Sequence, residues 1–418
     1  MRLLYLHQHY SAPEGATATR SHALAHALIR RGHSVTLACG RYEGAVTGLE
    51  GGFRHGRREG ASEGLRLVEF DIPCGNAQGF AARGAAFGRY AARAARLALA
   101  GEWDLVIASS TPLTVALPAL LARRLRGTPF LFEIRDPWPE LPRAMGGVPG
   151  WALAGMEHLA NAACRRAAAV VALSEGMAQT ALNRGAAPEQ VHVVPNGCDL
   201  DLFGPHIPAW RPVEAAPWEM LAVYAGAHGR ANGLEQVLDA AALLMARGEH
   251  RIRLLLVGEG SEKPRLQAEA TARGLHNVSF MPPLGKRRLA SLLAGAQCGI
   301  HCLAPVAAFA EWTAPNKLMD YLAAGLPVVS NLPGQGERLL ASQGPMGPCG
   351  MATPPGDATA LADALAWMAA NPSQRLAMGH AARDQAVRRW DRRLLARHFV
   401  AVAEAAARPS PLPSLVAA

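Results

Sequence analysis

The sequence predicts two α/β domains, each an open parallel sheet with helices on both faces, meeting across a cleft. Three observations carry that prediction. At 418 residues the chain exceeds what one hydrophobic core usually organises. Short apolar runs alternate with Ala-rich helical stretches along its length, which is the pattern of parallel sheets built from βαβ units. One stretch, Asp199 to Trp218, interrupts the alternation with Pro205, Pro208, Pro212 and Pro217 and reads as a linker. The expected division is 1–205, 206–385, a helix at 386–407 that packs back on the first domain, and a tail at 408–418.

Arg2 to Leu6 is the first strand, and it ends in the turn-rich Ser11-Ala12-Pro13-Glu14-Gly15. A helix from Thr17 to Arg31, with Ala23, Leu24, Ala27 and Leu28 on one side, is closed by Gly32-His33. Ser34 to Ala38 is the next strand, so a glycine-bearing loop lies at the carboxyl end of the first strand, where open α/β sheets bind ligands. Strands near Leu65 to Phe70, Leu105 to Ser109, Phe130 to Ile134, Ala169 to Leu173 and Val191 to Val194 follow. Beyond the linker, Leu221 to Ala225 leads into the turn Gly226 to Gly233 and a helix from Leu234. Arg253 to Val257 leads into Gly258-Glu259-Gly260 and a helix from Lys263. Further strands are expected at Val278 to Phe280, Gly299 to Leu303 and Pro327 to Ser330. Helices follow at Ala358 to Ala370 and Pro372 to Ala406, interrupted near Trp390-Asp391, before a frayed tail.

Seven scattered cysteines argue against a disulfide framework and for a reducing compartment. Cys298, His301 and Cys302 lie on an apolar strand-like run without a second ligand pair, so metal binding there is not expected. The amino terminus turns polar at His7-Gln8-His9, too early for an export signal, and a cytoplasmic location is expected. A net charge of +9 favours an acidic partner: nucleic acid, anionic lipid or a phosphorylated substrate. No nucleic-acid recognition motif accompanies the charge. Only Lys263, Lys286 and Lys317 are lysines in this Arg-rich chain, which marks all three as site candidates. Ala81 to Gly101 interleaves Arg83, Arg89, Arg93 and Arg96 with Phe87, Tyr90, Leu97 and Leu99. Such a helix either packs its apolar side on the sheet or lies on an anionic membrane.

The stretch from Glu311 to Val329 places Pro315 where a helix begins and Gly325-Leu326-Pro327 where it stops. Unpaired backbone N–H groups at such a start attract anions; Asn316 and Lys317 stand in its first turn, with Glu311 before it and Asp320 within it. Lysine and amide groups suit a phosphate, and a carboxylate suits a ribose diol; a capped surface helix is the plainer alternative. The Gly226 to Gly233 turn, with Gly229 and Arg230, lets backbone amides approach a diphosphate but lacks the GxGxxG spacing of a dinucleotide fingerprint. Asp199-Leu200-Asp201 resembles a metal-holding Asp-x-Asp, yet a turn after Asn196-Gly197 explains it. Phe132 to Pro139 carries charged and aromatic groups from a strand into a loop, where they meet a substrate or merely cap the strand end.

Together these elements resemble the retaining family 4 glycosyltransferases of the GT-B fold over nearly the whole chain. The resemblance rests on Pro13-Glu14-Gly15 with Arg20, Arg31-Gly32-His33-Ser34-Val35, Arg135-Asp136-Pro137-Trp138-Pro139-Glu140 and Leu173-Ser174-Glu175-Gly176-Met177. It extends through Val194-Pro195-Asn196-Gly197, Val257-Gly258-Glu259-Gly260 and Pro315-Asn316-Lys317 to Gly325-Leu326-Pro327-Val328. The Asp-Pro-Trp-Pro and Pro-Asn-Lys elements look most like the branch that adds acetamido-deoxy sugars such as N-acetylfucosamine in bacterial surface polysaccharide assembly.

The resemblance implies a nucleotide-sugar donor, UDP-linked, on the second domain and a saccharide or polyprenyl-linked acceptor on the first, with retention at the anomeric carbon and no metal or other cofactor. It implies donor contacts from Gly15, Gly226, Gly229, Arg230, Gly258, Glu259, Lys263, Pro315, Asn316, Lys317 and Asp320, and acceptor contacts from His9, Arg135 and Trp138. Arg230, Lys317, Glu311 and Asp136 carry the implied chemistry. Two positions depart from the family pattern. The usual Glu-x7-Glu pair falls on Trp312 and Asp320, with Glu311 one residue off, and the usual basic pair falls on Ala227 and Asn232. The competing readings are a sugar-nucleotide epimerase of similar architecture and a noncatalytic two-lobed binding protein.

Overall fold

The computed structural model describes residues 1–17, 19–75, 78–312, 314–341 and 347–408. Thr313 and the expected tail beyond Arg408 lie outside that set. The chain forms two sheets. The first contains β1 (Arg2–Leu6), β2 (Ser34–Tyr42), β3 (Arg57–Ser62), β4 (Leu65–Cys74), β5 (Leu105–Ser109), β6 (Phe130–Ile134), β7 (Ala169–Ala172) and β8 (Val191–Val193), in the order β3-β4-β2-β1-β5-β6-β7-β8. The second contains β9 (Met220–Ala225), β10 (Ile252–Val257), β11 (Val278–Met281), β12 (Cys298–His301), β13 (Val328–Ser330) and β14 (Gly350–Ala352), in the order β11-β10-β9-β12-β13-β14.

β1 pairs with β2 on one side and β5 on the other, Leu3 lying opposite both Val35 and Leu105. β9 is flanked in the same way by β10 and β12. At such a strand the winding of the sheet reverses and leaves a crevice beyond its carboxyl end. Both crevices, one past Leu6 and one past Ala225, open toward the other domain.

One correction concerns the first sheet, which is not wholly parallel. β3 runs antiparallel to β4, with Ser62 opposite Leu65, because a two-residue turn, Glu63-Gly64, can join strands only in that sense. Its polar sequence, Arg57 to Ser62, carries no apolar run to mark it.

The helix Arg392–Ala407 lies on the first sheet beside Arg20–Arg30, placing Phe399, Val400 and Ala403 in a core with Tyr5, Leu24 and Leu28. Glu404 accepts hydrogen bonds from Arg31 and His33 at 3.0 Å. The opposite face is covered by Phe80–Ala100, Ala116–Arg126 and Gly150–Arg166. The first of these, weighed above as a lipid-surface element, buries Phe87, Tyr90, Ala94 and Ala98, so its apolar side belongs to the core. Asp199 is absorbed by a turn: its carboxylate accepts from Leu202 N at 3.1 Å and from Arg392 at 3.1 Å.

One buried ion pair joins three parts of the first domain. Arg20 Nε donates to Glu133 Oε1 at 2.9 Å, and its other nitrogens donate to Val194 O at 2.8 Å and Pro195 O at 2.7 Å. Glu133 also accepts from Ser109 Oγ at 2.5 Å. Removing the guanidinium strands a buried carboxylate, so Arg20→Ala is expected to cost about 3–5 kcal/mol. A urea midpoint unchanged from wild type would contradict that role.

Candidate active site

The two crevices merge into one cavity of about 800 Å³, within the range of small-molecule sites. Contacts at its margins hold the sheet ends together. Lys286 N donates to Pro13 O at 3.2 Å, Ser174 Oγ to Glu311 O at 3.0 Å, and Asn196 Nδ2 to Ala314 O at 2.5 Å.

The second domain supplies the floor. The helix Asn316–Ala324 starts after Pro315 without a side-chain cap, so its first-turn amides stand open beside the cavity that Asn316 and Lys317 line. Lys317 reaches across to the turn after β9, where Gly226 leaves it room: a Cβ there would sit 3.0 Å from Lys317 Nζ. The ammonium donates to Tyr224 Oη at 2.8 Å and to Asn232 Oδ1 at 3.1 Å, and lies 4.2 Å from the centre of the Tyr224 ring. Both partners are neutral. Burial lowers the Lys317 ammonium to about 8.

The other two lysines are paired. Lys286 forms an ion pair with Asp320, both buried, and both line the cavity. Lys263 binds Glu259 at 2.6 Å and the carbonyls of Gly258 and Met281 at 2.8 and 3.2 Å. Its charge therefore anchors the loop that carries Glu259 and does not line the cavity, which corrects its expected donor contact.

Gly226 and Gly258 pack backbone to backbone. Gly258 has φ +149°, and a Cβ on it would fall 1.8 Å from Gly226 O. Their N–H groups donate to Val257 O and Met281 O, so these two amides hold the turns together instead of facing a ligand.

The first domain forms the opposite wall. Arg135 Nη1 lies 2.9 Å from both ring nitrogens of His7, and His9 packs against Tyr42 with the rings tilted by 31° and their centres 4.2 Å apart. Asp136 accepts from Thr111 Oγ1 at 2.5 Å. Burial, then Arg135, pushes His7 well below its usual range, and burial with Arg135 and Arg83 takes His9 to about 3. These imidazoles are neutral near pH 7. The half-buried Arg135 guanidinium, its pKa lowered by desolvation, supplies the wall's positive charge.

Of the residues expected from sequence, His9, Arg135, Asp136, Gly226, Gly258, Glu259, Asn316, Lys317 and Asp320 line the cavity. Others do not. Arg230 is exposed on the outer side of its turn, because the single helical turn Arg230–Asn232 points Asn232 inward instead. Glu311 is exposed on a short helix, Phe309–Trp312, whose backbone packs on Ser174 and Gly176 of the first domain. Gly15 supports its loop, a Cβ there meeting Ser11 Oγ at 2.2 Å, while the following Ala16 and Thr17 reach the cavity. Trp138 packs edge-on against Phe87, ring centres 6.2 Å apart. Gly229 and Pro315 adjoin the lining without forming it. Tyr224, Thr111 and His7 were missing from the expected set, whereas Lys286 was marked as one of three lysines without a role assigned to it.

Comparisons with known proteins agree with this architecture. The family model described as a glycosyl transferase 4-like domain matches residues 15–197, and that of glycosyl transferases group 1 matches residues 219–371. The chain belongs to the GT-B glycosyltransferases.

This glycosyltransferase is 32% identical over 163 residues to WcaI, a colanic acid biosynthesis glycosyl transferase of Escherichia coli. The match covers 37% of this chain and spans only 38% of that relative. Its fold is shared with sucrose-phosphate synthase from Thermosynechococcus elongatus, at TM-score 0.72 and 16% identity, covering 95% and 97% of the two chains. Anabaena HepE, solved in complex with UDP-glucose, aligns at TM-score 0.64 and 18% identity over 96% and 98% of the two chains. Among the described residues of the glycosyltransferase, no helix is long and apolar enough to cross a membrane.

Lys317 gives the floor a pH dependence. Its charge is present below about 8 and is lost as pH rises through that value. Affinity for inorganic pyrophosphate, measured by calorimetry and corrected for the ligand's own ionisation, is therefore expected to be flat below pH 8 and to fall by up to about tenfold per pH unit above it. Lys317→Arg should remove that fall.

Proposed function

We propose that the chain transfers a sugar from a UDP-linked sugar, an acetamido-deoxyhexose in the branch it resembles, to a saccharide or polyprenyl-linked acceptor in surface polysaccharide synthesis. One observation carries this reading: a half-buried ammonium with only neutral partners, beside an uncapped helix start, faces a cavity of substrate size. A half-buried cation without a counter-ion is further stabilised when an anion joins it, and a diphosphate supplies that anion. The UDP-glucose bound by HepE supports the choice of donor, although the likeness itself extends only to the fold.

In this reading Lys317, Asn316 and the first-turn amides of Asn316–Ala324 stabilise charge that develops on the leaving diphosphate. Asp320, held by Lys286, faces the ribose. His7, His9, Arg135 and Asp136 position the acceptor hydroxyl on the opposite wall. The acceptor's proton passes to the leaving phosphate oxygen on the face where attack occurs, so the anomeric configuration is retained. No metal or cofactor enters the scheme. Contact with an anionic membrane would rest on the outward Arg89 and Arg96 and be electrostatic, since Phe87 and Tyr90 lie in the core. An epimerase or noncatalytic binding role is not favoured by two transferase domain matches.

A panel of nucleotide sugars tests the reading through slow hydrolysis, followed as released nucleotide. A UDP-sugar is expected to be cleaved. Lys317→Ala should lower kcat/KM by about 10²–10³, the range for losing one stabiliser of developing charge. Arg230→Ala, which removes a side chain outside the cavity, should leave it unchanged. Silence toward the whole panel, or the reverse ranking of the two variants, would refute the assignment.

A further inference from the structure

Away from the cleft, His22 and His26 stand one turn apart on the helix Arg20–Arg30. The β3–β4 turn brings Glu63 up against them. Glu63 Oε2 lies 3.6 Å from His26 Nε2 and 3.9 Å from His22 Nε2, and the imidazole centres are 4.3 Å apart. Among the described residues this is the one group of three or more His, Cys, Asp or Glu side chains whose ligand atoms all lie within 4.8 Å of one another.

In a four-coordinate zinc site with bonds of about 2.0–2.1 Å, neighbouring ligand atoms are about 3.3 Å apart. Both carboxylate-to-imidazole spacings are already near that value, and the third is no more than 4.8 Å.

Two details separate this group from a chance surface contact. His26 Nε2 is buried and has no hydrogen-bond partner. His22 Nδ1 lies 3.1 Å from the hydroxyl of the buried Tyr10. With Nδ1–H donating to that phenol oxygen, Nε2 keeps its lone pair toward Glu63, the arrangement by which a supporting partner fixes the tautomer of a metal-binding histidine. Glu63 itself sits at φ 51°, where a glutamate is unusual. That backbone conformation aims its carboxylate back over the helix.

We propose that His22, His26 and Glu63 bind one divalent transition metal of the zinc class, with water completing four-coordination. The ion clamps the β3–β4 turn to the helix Arg20–Arg30, joining the antiparallel edge of the sheet to the helix that carries Arg20. Two imidazoles and a carboxylate suit zinc and exclude the all-oxygen cations magnesium and calcium. None of the three residues lines the cleft, so the inference stands apart from the donor site.

The full chain, freed of any affinity tag and stripped with EDTA, is titrated with Co²⁺ and then Zn²⁺. One Co²⁺ per chain is expected, with the visible bands of a four-coordinate site, displaced by one equivalent of Zn²⁺; Zn²⁺ should also raise Tm. Glu63→Gln, at an exposed turn, and His26→Ala should each weaken Zn²⁺ binding by about tenfold or more with an unchanged circular dichroism spectrum. Glu63→Gln decides alone if His26→Ala does not fold. A wild-type protein without one-to-one binding, or Glu63→Gln with wild-type affinity, overturns the proposal.

Discussion

A half-buried ammonium held by a phenol oxygen and an amide oxygen is the constraint on which the cleft depends. Lys317 can occupy that position only because Gly226 has no side chain and because Tyr224 and Asn232 offer acceptors without negative charge. A carboxylate in place of either would neutralise the lysine and leave no demand for an anion from solution. The other two lysines illustrate the contrast. Lys263 and Lys286 meet Glu259 and Asp320, and their charges organise the protein itself. The same residue type thus has two uses, set by the partner's charge.

The geometry around that lysine follows from the winding of two sheets. Each sheet reverses at a central strand, β1 or β9, and each reversal leaves the strand's carboxyl end uncovered. Facing the two ends toward each other yields a cavity with one wall from each domain. The contact of Gly226 with Gly258 lets two turns of the second domain lie flat, which keeps the floor low enough for Lys317 to cross it. Specific contacts at the margin, such as Pro13 with Lys286 and Ser174 with Glu311, then set how far apart the walls stand.

The first domain is held by polar groups that never reach the cavity. Arg20 and Glu133 connect the first helix to β6 and to the segment after β8, directly behind the wall formed by Arg135 and Asp136. Burial of this kind fixes the wall residues in place; His7 is kept neutral by its own burial and, after that, by the nearby Arg135. The helix Arg392–Ala407 belongs to this domain by packing although it follows the second in sequence. Its apolar face matches the side of the sheet that Arg20–Arg30 leaves open.

Much of the fold was legible because parallel strands buried on both faces are short apolar runs, and helices between them show their own period. The α/β class, the two series and the strand positions other than β3 and the three-residue β14 follow from that local pattern. β3 escaped it because an edge strand facing solvent need not be apolar. The helix start at Asn316 and the importance of lysine could also be read, since both are local chemistry. Which lysine lacks a counter-charge could not, because Glu259 and Asp320 become partners only in three dimensions. Arg230 and Glu311 look like site residues in the chain and lie outside the cavity in the structure, since one short helical turn or a one-residue offset redirects a side chain. Glu63 reaches His22 and His26 only through the hairpin. Sequence determined which segments become strands and helices, through the period of burial; tertiary structure alone decided which charges are neutralised, since that depends on distance across elements and not along the chain.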